Sequence, residues 1–221
     1  MAAALDAGRL TSPAAAGPAA IEWVSVSWTP PAGTTALIFD CDGTLADTMP
    51  VHYVAWRAML LPYGIDFPED VFYALAGMPS TQIVARLAAE QGIELPEGAI
   101  DQMVVDKEQG YVATIASVQP IEPVVAVARA ARGTLPMAVA SGGHRWVVRK
   151  TLEAIGVGDW FDAVVGAEDT ERHKPEPDVF LEAARRLGVA PEGCVVFEDG
   201  EFGLEAARRA GMTGIDIRLW L

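Results

Sequence analysis

The chain contains few cysteines, no long apolar run and no basic segment of the kind that opens a signal sequence. Its 221 residues include only Cys41 and Cys194, which lack C-x-x-C spacing, so the sequence predicts neither a disulfide scaffold nor a zinc knuckle. No apolar stretch approaches the roughly 20 residues that span a bilayer. Residues 1–10 contain Asp6 and lack a basic region followed by an apolar one, so we expect no secretion signal. These features predict a reducing, cytoplasmic location.

Basic residues are also few, with 16 Lys and Arg against 30 Asp and Glu and a formal net charge of -14 at pH 7. So acidic a surface repels nucleic acid and anionic lipid, and we expect neither a nucleic acid nor a membrane as partner. It also repels a small anionic substrate, unless a cation or a cluster of donors reverses the field at one site. The absence of G-x-x-x-x-G-K-[ST] excludes a P-loop kinase, and no feature identifies a protein partner.

From residue 34 onward, predicted strands alternate with predicted helices. Short apolar runs predict strands at 36–39, 136–140, 163–165, 194–197 and 214–217. Helical patterns, each followed by a glycine, occur at 122–132, 144–155, 177–187 and 203–210. Such alternation predicts an α/β fold with a doubly wound parallel sheet.

Two segments depart from this alternation. Residues 1–33 are rich in Ala, Pro and Gly and are expected to form a poorly ordered leader, although 21–28 could add an edge strand. Residues 48–116 show helical periodicity without a convincing strand, at 51–61, 81–91 and 99–113. We therefore predict a core formed by 34–47 and 117–221, with a small helical cap, 48–116, inserted after the first core strand.

Polar residues follow the predicted strands at their carboxyl ends, where open parallel sheets bind ligands. They are Asp40 and Asp42 after the first strand, Ser141 and Gly142 after the second, Lys174 after the third, and Glu198 and Asp199 after the fourth. Crowded carboxylates favour a hard divalent cation such as Mg²⁺. A lysine and a serine with neighbouring backbone N–H groups suit the oxygens of a phosphate. The set predicts phosphoryl transfer through an aspartyl-phosphate.

Each of these motifs also has a purely structural interpretation. D-x-D-G-T often forms a turn, Ser141 could cap a helix, and Lys174 could be a solvated loop residue. Glu198 and Asp199 could be the acidic first turn of the following helix. Their placement in order at four strand ends favours the functional interpretation.

The same segments resemble the four motifs of the haloacid dehalogenase superfamily of phosphohydrolases. These segments are LIFDCDGTL at 37–45, AVAS at 138–141, HKPEPD at 173–178 and VFED at 196–199. Asp47, Thr48, His52 and Trp56, together with GLEAARRAGM at 203–212, resemble the β-phosphoglucomutase and fructose-1-phosphatase-like branch. The resemblance covers about residues 35–221 and implies a Rossmann-like core with a mobile cap that closes over the substrate.

The resemblance implies roles for the two motif aspartates and for the metal ligands. Asp40 matches the nucleophile, and Asp42 matches the general acid and base that protonates the leaving alkoxide and then activates water. Asp40, the backbone carbonyl of Asp42 and Asp199 match the Mg²⁺ ligands. Glu198 is either a further ligand or a residue that supports them.

The resemblance also implies a phosphate site and a substrate site. Ser141, with the adjacent Gly142, and Lys174 match the groups that hold the phosphoryl oxygens, and Lys174 offsets charge in the transition state. In the cap, His52 matches the residue that steers the acid and base. Gly77 and Met78 match the loop that closes over the substrate.

These residues predict a Mg²⁺-dependent phosphomonoester hydrolase acting on a small phosphorylated metabolite, and the resemblance favours a sugar phosphate. The alternative is a β-phosphoglucomutase-type isomerase, but mutases grip a second phosphate with an arginine where this chain has Ser80. Dehalogenases lack the aspartate that Asp42 provides. Phosphonate cleavage requires a cap lysine, and Lys107 lies late in the cap. A non-catalytic protein that had evolved from such an enzyme is expected to have lost Asp40, Asp42 or Lys174, and none of these residues is lost here.

Overall fold

The computed structural model describes residues 28–76 and 78–221. Most of the predicted leader, and all but Trp28 of the predicted edge strand at 21–28, lie outside these residues. The described strands are β1 (Ala36–Phe39), β2 (Ala46–Asp47), β3 (Gln119–Pro120), β4 (Met137–Ala140), β5 (Ala163–Val165), β6 (Cys194–Glu198) and β7 (Thr213–Asp216). The described α-helices are α1 (Met49–Leu60), α2 (Glu69–Ala74), α3 (Ser80–Glu90), α4 (Ala99–Thr114), α5 (Glu122–Ala131), α6 (Arg145–Ala154), α7 (Asp178–Leu187) and α8 (Glu201–Arg209).

Five strands form one parallel sheet in the order β5-β4-β1-β6-β7. Strand β1 is central and buried on both faces, so its side chains are apolar throughout. Leu37 and Phe39 pack in the cluster that contains residues of α5 and α6, whereas Ile38 packs with residues of α7 and α8. Helices therefore cover both faces, which confirms the predicted doubly wound α/β fold.

The helices α1 to α4 build a separate hydrophobic cluster that we call the cap cluster. Its buried members include Trp56, Leu60, Phe72, Leu87 and Met103. The chain enters and leaves this segment through β2 and β3, which pair in an antiparallel ladder with Ala46 opposite Pro120. Residues 48–116 are called the cap, and residues 34–47 and 117–221 the core.

The predicted helices and strands differ from the described ones by at most two residues at either end, and the strands at 36–39 and 163–165 match at both ends. Helix α2 and the ladder of β2 and β3 were not predicted, because six residues and two pairs of residues are too short to show a period. None of the described helices has the length and apolar character needed to cross a membrane.

Candidate active site

A buried lysine joins two acids at the carboxyl edge of the sheet. Lys174 Nζ lies 2.7 Å from Asp40 Oδ1 and 2.6 Å from Glu198 Oε1. All three side chains are at most 8% exposed. Because β1 and β6 are neighbours in parallel register, the residues that follow or end them meet at one edge. The ammonium group thus partly neutralises the predicted nucleophile.

Three acids form a cluster that fits a divalent cation. Asp40, Glu198 and Asp199 each offer a carboxylate oxygen, and these oxygens lie within 4.8 Å of one another. Glu198 Oε2 accepts a hydrogen bond from the backbone N–H of Gly200 at 2.6 Å, and Asp199 Oδ1 accepts one from Thr44 at 2.8 Å. This all-oxygen, acidic set is the kind that Mg²⁺ prefers.

Two glycines make room for these carboxylates. Gly43 has φ +81°, and a Cβ at this position would overlap the carboxylate of Asp199. A Cβ at Gly203, in the first turn of α8, would overlap the carboxylate of Glu198. The sequence pattern places Gly203 at the start of a helix and of the GLEAARRAGM segment, but indicates no role for it in the site. The sequence feature that could have indicated such a role is a glycine inside the first turn of a helix that follows an acidic pair, because a glycine there often allows another group to approach the helix closely.

The second motif aspartate contacts the cap rather than the lysine. Asp42 Oδ1 lies 3.2 Å from Nε2 of His52 in α1, so the two predicted residues are brought together across the boundary of core and cap. Burial alone would raise the pKa of Asp42, but the charge and hydrogen bond of His52 lower it to about 2. At neutral pH, Asp42 is therefore an ionised carboxylate in contact with His52.

Two site acids, Asp40 and Asp199, hold protons more tightly than usual. Burial raises the pKa of Asp40 well above its ordinary value, although Lys174 opposes the shift. Burial, with a contribution from Glu198, raises the pKa of Asp199 to about 6. Burial works against the charge of Lys174, yet Asp40 and Glu198 raise the pKa of the ammonium group. Lys174 therefore does not fully offset the burial of these acids and their mutual repulsion.

The predicted phosphate-binding residues lie beside these acids. Ser141 is buried at the end of β4, and its Oγ accepts a hydrogen bond from the backbone N–H of Gly143 at 3.0 Å. Ser141, Gly142 and Lys174 all line the same cavity as Asp40. This arrangement gives hydroxyl, backbone N–H and ammonium donors next to the predicted nucleophile.

The cavity has a volume of about 870 Å³ and is lined by both the core and the cap. Of the predicted substrate-site residues, His52 and Met78 line it, whereas Gly77 lies outside the described residues. The carboxylates that line it are Asp40, Asp42, Glu108, Glu168, Glu198, Asp199 and Glu201, and the lysines and arginine are Lys107, Lys174 and Arg218. The described lining is therefore strongly acidic.

Lys107 and Glu108 are lining residues that were not predicted to belong to the site. Both are 5% exposed, and Lys107 Nζ lies 3.0 Å from Glu108 Oε1 and 5.4 Å from the centre of the Trp56 ring. A position late in the cap does not keep Lys107 from the cavity, because α4 packs against α1. Lys107 therefore lines the cavity as one member of a buried ion pair with Glu108.

A family model for haloacid dehalogenase-like hydrolases matches residues 34–211. The chain belongs to this family. It is 41% identical over 186 residues to the fructose-1-phosphate phosphatase YqaB of Escherichia coli (strain K12), covering 83% of this chain and 96% of that protein. It is 27% identical over 188 residues to the β-phosphoglucomutase of Bacillus subtilis (strain 168), covering 82% of each chain.

Among solved structures, CbbY from Rhodobacter sphaeroides in complex with phosphate superposes with a TM-score of 0.75 at 26% identity, covering 82% of this chain and 84% of CbbY. Together these matches confirm the predicted family and the predicted enzyme class, a haloacid dehalogenase-like phosphatase. The roles of individual site residues remain predictions.

Proposed function

We propose that the protein hydrolyses the phosphate ester of a sugar monophosphate, with Mg²⁺ and through an aspartyl-phosphate on Asp40. The observation that carries this proposal is the Lys174 bridge between Asp40 and Glu198, in a cavity lined by both the core and the cap. The sugar-phosphate substrate is supported by the names of the relatives, fructose-1-phosphate phosphatase among them.

The residues present support a two-step displacement. In the first step, a carboxylate oxygen of Asp40 bonds to phosphorus while the ester bond to the sugar oxygen breaks. Asp42 delivers a proton to that oxygen, and His52 Nε2, 3.2 Å away, supplies the proton to Asp42 because the carboxyl itself is ionised at neutral pH. Lys174 and Ser141 hold the phosphoryl oxygens and offset their charge.

In the second step, Asp42 accepts a proton from a water molecule. The oxygen of that water bonds to phosphorus as the bond from Asp40 to phosphorus breaks. Orthophosphate leaves, and the Asp40 carboxylate is restored. Asp42 then returns the proton taken from water to His52 Nε2, so each group has acted once as donor and once as acceptor and the pair of Asp42 and His52 ends as it began.

The proposed Mg²⁺ ligands are Asp40, Asp199 and the backbone carbonyl of Asp42. Glu198 is either a further ligand or the group that orients Lys174. Both Glu198 oxygens accept hydrogen bonds, from Lys174 and from Gly200, which favours the orienting role. Bound Mg²⁺ would stabilise negative charge on the phosphoryl oxygens. The donor chemistry of the cluster is what supports this metal.

The charges of the cavity favour a substrate with a single phosphate. Lys107 is paired with Glu108, and Arg218 is paired with Glu201 and Asp216, so neither cation is free for a second phosphate. Ser80, which lines the cavity, offers no charge where mutases carry an arginine. A neutral polyol fits the remaining space better than a second anion does.

The test is phosphate release by the purified protein with Mg²⁺ from fructose 1-phosphate, both anomers of glucose 1-phosphate, glucose 6-phosphate and 6-phosphogluconate. We expect release from at least one sugar phosphate, with Asp40→Asn at less than a tenth of that rate. Conversion of β-glucose 1-phosphate to glucose 6-phosphate without release would instead support the mutase. Full turnover in excess EDTA would contradict the metal, and equal rates for Asp40→Asn would contradict the nucleophile.

A further inference from the structure

Tyr111 in α4 links the cap to the core at the back of the predicted acid and base. It is fully buried, and its ring stacks on His52 with centroids 3.9 Å apart and planes inclined by 16°. Its hydroxyl lies 2.8 Å from Oγ1 of Thr151 in the core helix α6. We propose that Tyr111 is a positioning residue that holds His52 against Asp42 and ties the closed cap to α6. This inference rests on the proposed function only for its kinetic consequences.

The ring of Tyr111 is what orients His52. One ring nitrogen of His52, Nε2, contacts Asp42, whereas the other, Nδ1, is buried and has no hydrogen-bond partner among the described residues. A histidine that orients a carboxylate usually has its second nitrogen fixed by a carbonyl or a carboxylate. In this protein no carbonyl or carboxylate of the described residues holds Nδ1, so the orientation of the imidazole plane depends on packing. The nearly parallel stack supplies that constraint.

The hydroxyl of Tyr111 makes the connection to the core. Thr151 donates its own hydroxyl hydrogen to the carbonyl of Val147 at 3.2 Å, so Tyr111 is the donor in the bond to Thr151. Thr151 is 1% exposed, so no water competes for this bond. Helix α6 begins at Arg145, directly after the phosphate-binding segment of Ser141 and Gly142. The tyrosine therefore spans the helix behind the phosphate site and the residue that contacts Asp42.

Tyr111 lies at the junction between the cap and the core. It packs in one buried cluster with Ala46 of β2, Val118 next to β3, Ala55 of α1 and Val147 of α6. Strands β2 and β3 are the two connections between core and cap. A residue in this cluster therefore contacts both the core and the cap beside these connections. Tyr111 thus contacts both His52, which meets Asp42, and Thr151, which belongs to the core, so one side chain links the two contacts.

A double-mutant cycle separates positioning from general stability. Tyr111→Leu should lower kcat for phosphate release about 10-fold, and should change kcat less than about twofold in a His52→Gln background. Tyr111→Phe keeps the ring and should restore kcat. An equal loss from Tyr111→Leu in both backgrounds would overturn the proposal, because a merely structural residue does not need His52.

The hydrogen bond between Tyr111 and Thr151, which we call the tether, is tested by its own pair of variants. Tyr111→Phe and Thr151→Val each remove one side of the hydrogen bond, so each should lower kcat/KM by a similar factor, about fivefold. The double variant should lose no more than either one. Additive losses would show that the two residues act independently and would overturn the tether.

A measurement without turnover keeps the inference separate from the proposed function. The chain has three histidines, so the imidazole signals of His52 can be assigned by comparison with His52→Gln in proton–carbon NMR spectra. We expect a ring-current shift of the His52 signals that persists in Tyr111→Phe and disappears in Tyr111→Leu, or in Tyr111→Met should the leucine variant not fold. Unshifted His52 signals in the unmodified protein would overturn the stack by themselves, whatever the enzyme hydrolyses.

Discussion

At the scale of single residues, one ammonium group serves three crowded acids. Lys174 contacts Asp40 and Glu198, so among the described residues Asp199 has only the hydroxyl of Thr44 as a close side-chain donor. Burial and the neighbouring Glu198 raise the pKa of Asp199 from 3.8 to about 6. An acid whose pKa is raised on folding destabilises the folded protein when it is ionised. The cost is full above pH 6, shrinks as the pH falls through 6, and is absent below about pH 4.

Asp199→Asn should therefore stabilise the metal-free protein while removing its response to Mg²⁺. Asparagine can still accept the hydrogen bond from Thr44 but carries no charge. In EDTA at pH 8 we expect the Tm to rise by roughly 2–6 °C, and the difference should vanish towards pH 4. Added Mg²⁺ should raise the Tm of the unmodified protein only. Thermal melts with and without Mg²⁺ measure both effects.

The control for this prediction is Asp159→Asn, which removes an exposed aspartate that pairs with Arg132. It should neither raise the Tm in EDTA nor change the response to Mg²⁺. A lower Tm for Asp199→Asn in EDTA would mean that Asp199 is stabilised in the fold by contacts stronger than its repulsion by Glu198.

Gly203→Ala should have opposite effects on the stability of helix α8 and on the position of the Glu198 carboxylate. Alanine in α8 should stabilise an isolated helix by about 1 kcal/mol, but its Cβ would displace the carboxylate of Glu198. We expect at least a tenfold loss of kcat with little loss of helical circular dichroism. Gly110→Ala is the matched control, since a Cβ there would lie 3.8 Å from Ala55, an ordinary contact. Equal activity of the two variants would show that Glu198 has room to move.

At the scale of elements, the strands and long helices could be predicted because each shows its own period, and because a glycine follows each of the core helices α5 to α8. The site residues at the strand ends could be predicted for a related reason. Parallel strands bring their carboxyl ends to one edge of the sheet. Asp40, Lys174 and Glu198 all follow or end strands at that edge, so they are close to one another whatever their side-chain rotamers. Contacts that depend on how the cap returns to the core had no such rule. Lys107 and Tyr111 reach the site only because α4 packs on α1, which no local pattern records.

Helix α3 gives a prediction about specificity, because its first residue, Ser80, lines the cavity. Ser80→Arg would place a cation where mutases grip a second phosphate. We expect KM for glucose 1,6-bisphosphate to fall about 10-fold, the gain of one charge-assisted pair, with hydrolysis of the best monophosphate changed less than threefold. Steady-state phosphate release on both substrates is the measurement.

The control is Ser80→Gln, which has similar reach without the charge. A gain for bisphosphate in the glutamine variant would assign the effect to size instead. No gain in the arginine variant would mean that Ser80 does not face the far end of the substrate.

At the scale of the whole molecule, the net charge of -14 and the acidic lining of the cavity act on the substrate before it binds. A phosphate dianion approaches against this field until it meets Lys174 and the proposed Mg²⁺. Salt shortens the range of the repulsion, from about 30 Å at 0.01 M to about 8 Å at 0.15 M. The rate of productive encounter should therefore rise with salt, in contrast to enzymes that attract their substrates.

We expect kcat/KM to increase about 2–5-fold between roughly 10 and 150 mM KCl at a fixed Mg²⁺ concentration, while kcat stays nearly constant. Glu201→Gln removes an exposed carboxylate at the cavity and should flatten the increase. Glu192→Gln makes the same chemical change before β6, at the opposite end of the strand that delivers Glu198, and should leave it unchanged. A decrease of kcat/KM with salt would mean that Lys174 and the bound cation dominate the field at the entrance, so that the acidity of the molecule as a whole does not reach the path of the substrate.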